Sequence, residues 1–205
     1  MPMHRTQAET AHREQAQQKL SSEGRKYFNL IEFDENEDLV TEIRKDPFGL
    51  FLILFTGIFV GLTIMIITVL LSAADLDGLG FGNLSSFRGI LLFISLLLIL
   101  GVAIMTFIGA FLYRSNVIYV TTEKLAQVVY ISLFNRKISQ LSIGDIQDVT
   151  VTQKGIFAHL FKYGTLVVET AGEQQNYTFS FVPDPYQVST LIVGAHERNL
   201  ALHGN

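Results

Sequence analysis

The chain has 205 residues, of which 49% are hydrophobic and 17% charged, and its formal net charge at pH 7 is −4. These values suit a small membrane protein with one modest domain outside the membrane, and no segment is basic enough to predict a nucleic-acid partner. The chain contains no cysteine, which excludes disulfides, thiolate metal sites and cysteine nucleophiles.

Residues 1–26 are rich in Ala, Gln, Glu and Arg and have almost no bulky apolar side chains. A solvated helix over Thr6–Leu20 and a disordered tail are both compatible with this composition. The segment lacks the apolar core of a secretory signal, so we expect the first apolar run after it to direct insertion. We predict a flexible N-terminal tail over residues 1–26.

Residues 27–47 differ in composition, with aromatic and aliphatic side chains followed by an acidic turn at Asp34–Asp38. Leu39–Ile43 then predicts a short strand, which Asp46 and Pro47 end. Because so short a strand is not stable alone, we expect it to pair with a sheet elsewhere in the chain.

Residues 48–113 contain two uncharged runs, Phe48–Leu71 and Gly89–Tyr113, which are joined by a Gly-rich loop at residues 72–88. A helix of about 24 residues is ~36 Å long, enough to cross a hydrocarbon core of ~30 Å. Buried helices of soluble proteins are rarely this long, so the runs predict a two-helix transmembrane hairpin.

Basic residues flank this hairpin unevenly. Arg44 and Lys45 precede the first run and Arg114 follows the second, whereas the loop carries only Arg88. Because cytoplasmic flanks are enriched in Lys and Arg, we predict a multi-pass protein of the cell membrane with both termini in the cytoplasm.

Small residues at a four-residue spacing occur in both runs and indicate close helix packing. They are Gly57 and Gly61 in the first run and Thr106 and Ala110 in the second. Such pairs would place the two helices against each other, or else join the chain to a second copy in a homo-oligomer. The runs contain no ionisable residue, so they do not indicate an ion or substrate path.

After Arg114 the alternation of apolar and polar residues is typical of β-strands. Residues 114–205 thus predict a β-rich domain that is closed by one C-terminal helix, with Asp184 as N-cap and Pro185 at the first helical position. The predicted strands are Val117–Val120, Leu125–Ile131, Lys137–Leu141, Ile146–Gln153, Thr165–Thr170 and Gln175–Phe181.

The segment Lys154–Lys162 interrupts this alternation with more apolar side chains than a turn needs. Only Ser115 and Asn116 separate Arg114 from the first strand, which keeps the start of the domain within about 10 Å of the helix end. We expect the segment to contact the membrane surface, although its side chains could instead fill the open end of the domain. The expected contact residues are Lys154, Phe157, Leu160, Phe161 and Lys162.

Four motifs follow one another after the apolar runs: Tyr119–Leu125, Ile143–Val149, Gln153–Phe161 leading into Phe161–Leu166, and Val167–Gly172 followed by Phe181–Pro185. Their order and spacing resemble the bacterial pleckstrin-homology-like family, the YdbS-like membrane proteins. The resemblance covers about Glu35 to Arg198 and implies a partly open β-barrel or sandwich, capped by a C-terminal helix. It implies no activity, because a fold does not give a function.

The sequence shows no convincing catalytic, cofactor or metal site. His196 lies in a His-Glu-Arg-Asn-Leu stretch that lacks the second histidine of a zinc helix, and no nucleophile or phosphate-loop motif is present. We therefore expect no enzyme, but a membrane-anchored binding or scaffold module on the cytoplasmic face that recognises a protein partner or the lipid bilayer. The alternative is an accessory subunit that docks into a larger membrane complex through its hairpin.

Overall fold

A computed structural model of the protein describes residues 7–33, 37–73, 88–170 and 176–203. Nearly all of the predicted loop at residues 72–88, and part of the acidic turn at Asp34–Asp38, lie outside these residues. The chain forms two compact units, one of Met1–Phe48 with Leu112–Asn205 and the other of Gly49–Phe111.

Six α-helices are present in the described residues. Two of them, α3 and α4, have 27 residues each and are the two apolar runs. The helices are α1 (Gln7–Gln18), α2 (Ser22–Phe28), α3 (Pro47–Ala73), α4 (Arg88–Arg114), α5 (Ile156–Leu160) and α6 (Pro185–His203).

Within the described ranges, seven antiparallel strands form two sheets, one in the order β1-β2-β3-β4 and the other in the order β5-β6-β7. The prediction that the short strand before the apolar runs pairs elsewhere is confirmed, since β1 pairs with β2 and Arg44 lies opposite Val117. The strands are β1 (Leu39–Arg44), β2 (Val117–Thr121), β3 (Lys124–Tyr130), β4 (Arg136–Ser142), β5 (Ile146–Thr152), β6 (Tyr163–Thr170) and β7 (Tyr177–Pro183).

The main core lies between the two sheets and α6, where Val120, Leu125, Leu166 and Ile192 are fully buried. Within the described part of the chain, each strand pairs only with strands of its own sheet, so the sheets do not close into a barrel. The expected barrel or sandwich is therefore an open two-sheet sandwich with a C-terminal helix.

The N-terminal segment is folded, and the prediction of a flexible tail over residues 1–26 is wrong for its described part. α1 and α2 cover the outer face of the first sheet, where Phe28 is fully buried between Phe33 and Tyr119. The physical reason is that β2 is apolar on both faces, so Val117 and Tyr119 need a second cover besides the main core. Composition could not reveal this, because the few apolar residues before residue 27 gain their partners from distant strands.

Polar contacts hold the N-terminal segment on the sheet. The Arg13 guanidinium donates to the carbonyls of Phe28 and Ile31 at 2.6 and 2.8 Å, and the Tyr119 hydroxyl donates to the Gly24 carbonyl at 2.6 Å. The domain predicted at residues 114–205 is therefore too short. β1, α1 and α2 belong to the same compact unit as the later strands.

Candidate functional site

The helix α5 exposes a set of large apolar side chains. Ile156, Phe157, Leu160 and Phe161 are 84%, 60%, 67% and 47% exposed, whereas Ala158 in the same helix is buried against the domain. Because these side chains face solvent, they do not fill the core, which was the alternative left open by the sequence. Exposed apolar groups gathered in one short segment are typical of a surface that binds an apolar partner.

The backbone on either side of α5 is held by a close contact at Gly164 and by a hydrogen bond from Gln153. A Cβ at Gly164 would lie 2.8 Å from the Thr152 carbonyl oxygen and 2.9 Å from Pro185 Cγ, so only glycine allows the start of β6 to pack this closely. The Gln153 amide also donates to the Tyr163 carbonyl at 3.1 Å. The apolar side chains of α5 are thus presented on a fixed support.

Two lysines bracket this apolar segment. Lys154 precedes α5 and Lys162 follows it, and both side chains are exposed. The structure therefore brings together all five residues that the sequence predicted as a membrane contact, which are Lys154, Phe157, Leu160, Phe161 and Lys162. Whether they touch a membrane stays a prediction.

An aromatic cluster, which the sequence reasoning did not identify, lies beside α5. The Phe48 ring stacks on Phe161 at 4.5 Å, on Tyr163 at 5.2 Å and on Phe157 at 5.7 Å between ring centroids. Phe181 lies 5.1 Å from Tyr163 and also packs edge-on against Tyr113. The sequence does carry a sign of this cluster, because Phe48 begins the first apolar run and Tyr113 ends the second, where aromatic residues are common.

Asp46 joins the strands of the domain to the start of α3. Its backbone N–H donates to the Phe181 carbonyl at 2.7 Å, and its own carbonyl accepts from the Tyr113 hydroxyl at 2.6 Å. Its carboxylate accepts from the Phe48 N–H at 2.8 Å, which caps α3. The adjacent Lys45 ammonium lies 5.1 Å from the Tyr113 ring centroid, and burial lowers the pKa of Lys45.

All these features lie at one end of the sandwich, which we call the helix-bearing end. It is defined by Asp46 and Phe48, where the chain enters α3, and by Arg114 to Asn116, where the chain leaves α4. Because Arg44 pairs with Val117, the residues just before α3 and just after α4 lie side by side. The α5 segment belongs to this end through its contacts with Phe48.

The predicted helix-packing residues lie in the second compact unit. A Cβ at Gly57 would overlap Thr106, lying 2.7 Å from its Cγ2, whereas a Cβ at Gly61 would meet no neighbouring atom within 4 Å. The predicted contact with the second helix is thus present at Gly57 and absent at Gly61. Ala110 is half-buried, one turn after Thr106.

In the part of the chain that the structure describes, no three His, Asp or Glu side chains are grouped as metal ligands. His196 Nδ1 lies 2.7 Å from the Ile143 carbonyl and joins α6 to the segment between β4 and β5.

A family profile matches most of the chain. The sequence profile of the bacterial PH domain family matches residues 48–194, more than half of the chain. Among solved structures, the chain is similar to a DUF1696-family protein with a pleckstrin-homology domain from Shewanella loihica PV-4, with 15% identity and a TM-score of 0.33 over 40% of this chain and 70% of that chain. No curated protein sequence matches. The family match shows that the chain belongs to the bacterial PH domain family.

Proposed function

We propose that the chain is a membrane-anchored, PH-like binding or scaffold module, in which α3 and α4 cross the bilayer as a hairpin. Both helices are long and apolar enough to do so. Their large side chains are mostly exposed, Phe59 and Phe107 among them, and lipid acyl chains would cover such a surface. A hairpin also fits the side-by-side pairing of Arg44 with Val117, which places the residue before α3 and the residue after α4 at one end of the domain.

We place the domain on the cytoplasmic face of the cell membrane, because Arg44, Lys45 and Arg114 flank the helices on the domain side. The chain has no cysteine, so single-cysteine variants report position cleanly. In whole cells, an impermeant thiol reagent should label Gly80→Cys in the loop between the helices, a residue outside the described ranges, and should not label Leu202→Cys in α6. Labelling of Leu202→Cys alone would show the opposite topology, with the domain outside the cell membrane.

The observation that carries the lipid-facing part of the proposal is the exposed apolar surface of α5 at the helix-bearing end. One phenylalanine transferred into the interface contributes about 1.5–3 kcal/mol, and each lysine over anionic lipid about 1 kcal/mol. Phe157 and Phe161, with Lys154 and Lys162, would therefore be sufficient to fix the orientation of a domain that its own helices already hold near the bilayer.

Tryptophan fluorescence in the full-length chain tests this contact, because the chain has no tryptophan of its own. Phe157→Trp should be quenched by lipids brominated on their acyl chains, in vesicles of phosphatidylcholine and phosphatidylglycerol. Phe59→Trp in α3 is the positive control. Leu202→Trp is the matched negative control, since Leu202 is 76% exposed near the end of α6, where Asn199 bonds to the β2–β3 turn away from the helix-bearing end.

If Phe157→Trp behaves like Leu202→Trp while Phe59→Trp is quenched, α5 does not contact lipid. The melting temperature of a second variant shows whether Phe157 contributes to folding rather than to lipid contact. Because Phe157 is largely exposed, Phe157→Ser should leave the melting temperature of the chain almost unchanged, and a large drop would show that the α5 side chains serve the core.

The second candidate is an accessory subunit, or a homo-oligomer, that docks through α3 and α4. It is favoured by Gly61 and Gly101, where an added Cβ would meet no neighbouring atom within 4 Å. Such open small residues allow close approach of another helix. Cross-linking of the full chain in native membranes should lose its products with Gly61→Leu if this face is an interface, and should keep them if lipid alone covers it.

A further inference from the structure

The turn between β3 and β4 carries exposed apolar side chains that the α5 contact does not use. Phe134 is 98% exposed, Ile131 59% and Leu133 42%. The turn is nevertheless closed by backbone hydrogen bonds, from Ile131 N–H to the Asn135 carbonyl at 2.9 Å and from Asn135 N–H to the Ser132 carbonyl at 3.3 Å. We call residues 131–135 the hairpin tip.

The direction of the strands places this tip at the helix-bearing end. β2 starts there at Val117, next to the end of α4, and β3 returns antiparallel to it with Val128 opposite Val117. The Tyr130 N–H donates to the Asn116 side-chain oxygen at 2.9 Å, which confirms that β3 ends beside the start of β2.

Chain lengths show how far the tip projects. From Val128 to Ile131, where the turn begins, the chain advances three residues, which is about 10 Å at ~3.3 Å per residue in a strand, and Leu133 and Phe134 follow in the turn itself. From Val117 back to Arg114 it advances three residues, which is at most about 10 Å. The tip therefore extends at least as far along the strand direction as the end of α4.

The charge around the tip is positive. Arg136 and Lys137 follow it directly, both are exposed, and residues 125–144 contain no Asp or Glu. The Arg136 guanidinium lies 6.0 Å from the Tyr130 ring centroid, at the base of the tip. Exposed Leu and Phe side chains beside basic residues are typical of segments that enter the interface of an anionic membrane.

We propose that the hairpin tip inserts Leu133 and Phe134 into the interface of the anionic leaflet, as a second lipid contact beside α5. This inference rests on the proposed membrane anchoring. Lipid is the favoured occupant because the tip lies at the end of the domain where α3 begins and α4 ends, and because its charges complement anionic headgroups. Two separate contacts would prevent the domain from tilting about either one.

The test uses Phe134→Trp in the full-length chain, in the same brominated vesicles of phosphatidylcholine and phosphatidylglycerol. Because Phe134 is almost fully exposed, the substitution should not disturb folding. The expected result is a blue-shifted emission that is quenched by the brominated acyl chains, while Leu202→Trp is not quenched.

Unquenched Phe134→Trp together with quenched Phe157→Trp overturns the tip contact and leaves the α5 contact intact, in which case Phe134 is free to bind a protein. If neither is quenched while Phe59→Trp is, both lipid contacts of the domain fail. Adding Arg136→Gln and Lys137→Gln to Phe134→Trp should reduce quenching in anionic vesicles. Undiminished quenching would overturn the electrostatic part of the proposal.

Discussion

Replacing Gly57 with alanine tests the contact between α3 and α4. A Cβ at this position would overlap the Thr106 hydroxyl and would lie 2.7 Å from Thr106 Cγ2 and 2.9 Å from Thr106 Cβ. Ordinary carbon–carbon contacts are about 3.5–4.0 Å, so the helices must separate by roughly 1 Å or Thr106 must rotate. Rotation is opposed by the hydrogen bond from the Thr106 hydroxyl to the Val102 carbonyl at 2.7 Å.

The expected cost follows from these contacts. Overpacking of this kind typically costs about 1–3 kcal/mol. Alanine also favours the helix over glycine by up to about 1 kcal/mol, which partly hides the clash. Gly61→Ala provides the matched control, because it gains the same helix propensity and its Cβ meets no neighbouring atom. The stability of Gly57→Ala should therefore lie about 1–3 kcal/mol below that of Gly61→Ala.

The assay is unfolding of the purified chain by titration of SDS into mild detergent, followed by far-ultraviolet circular dichroism. Adding Thr106→Ala to Gly57→Ala removes the two nearest atoms and should restore much of the lost stability. Equal stability of Gly57→Ala and Gly61→Ala would refute the packing of Gly57 against Thr106.

Two further predictions concern the N-terminal segment. Phe28→Ala should lower the free energy of unfolding by about 3–5 kcal/mol in thermal or urea unfolding, because the Phe28 ring is fully buried. Leu30→Ala, at a position that is 36% exposed, should cost less, and equal costs would contradict the packing of α2 on the sheet. Burial, and then the nearby Glu42 and Tyr27, raise the pKa of Tyr119 above its ordinary value of ~10. The folded chain thus keeps this phenol protonated above pH ~10, where the unfolded chain loses the proton, so stability should fall with rising pH by up to ~1.4 kcal/mol per unit. Urea unfolding on either side of pH ~10 measures this slope, and an unchanged slope in Tyr119→Phe would assign it to other groups.

Much of the architecture could be predicted from local patterns. The two apolar helices followed from run length, since crossing a bilayer needs about 20 consecutive apolar residues and each run exceeds that. The strands followed from alternation, and most of their predicted ends lie within one or two residues of the observed ones. The apolar break at Lys154–Lys162 was equally visible, because it interrupts a regular period.

The sequence by itself thus determined the element types and the apolar character of α5, because these depend on neighbouring residues. Only the tertiary structure decided that α1 and α2 cover the sheet, that Phe48 and Tyr113 join an aromatic cluster, and that Phe134 lies at the helix-bearing end. Each of these results depends on strand direction and register, which bring together residues far apart in the chain. A composition window cannot contain both partners of such a contact, so burial on the second face of β2 could not be predicted before the fold was known.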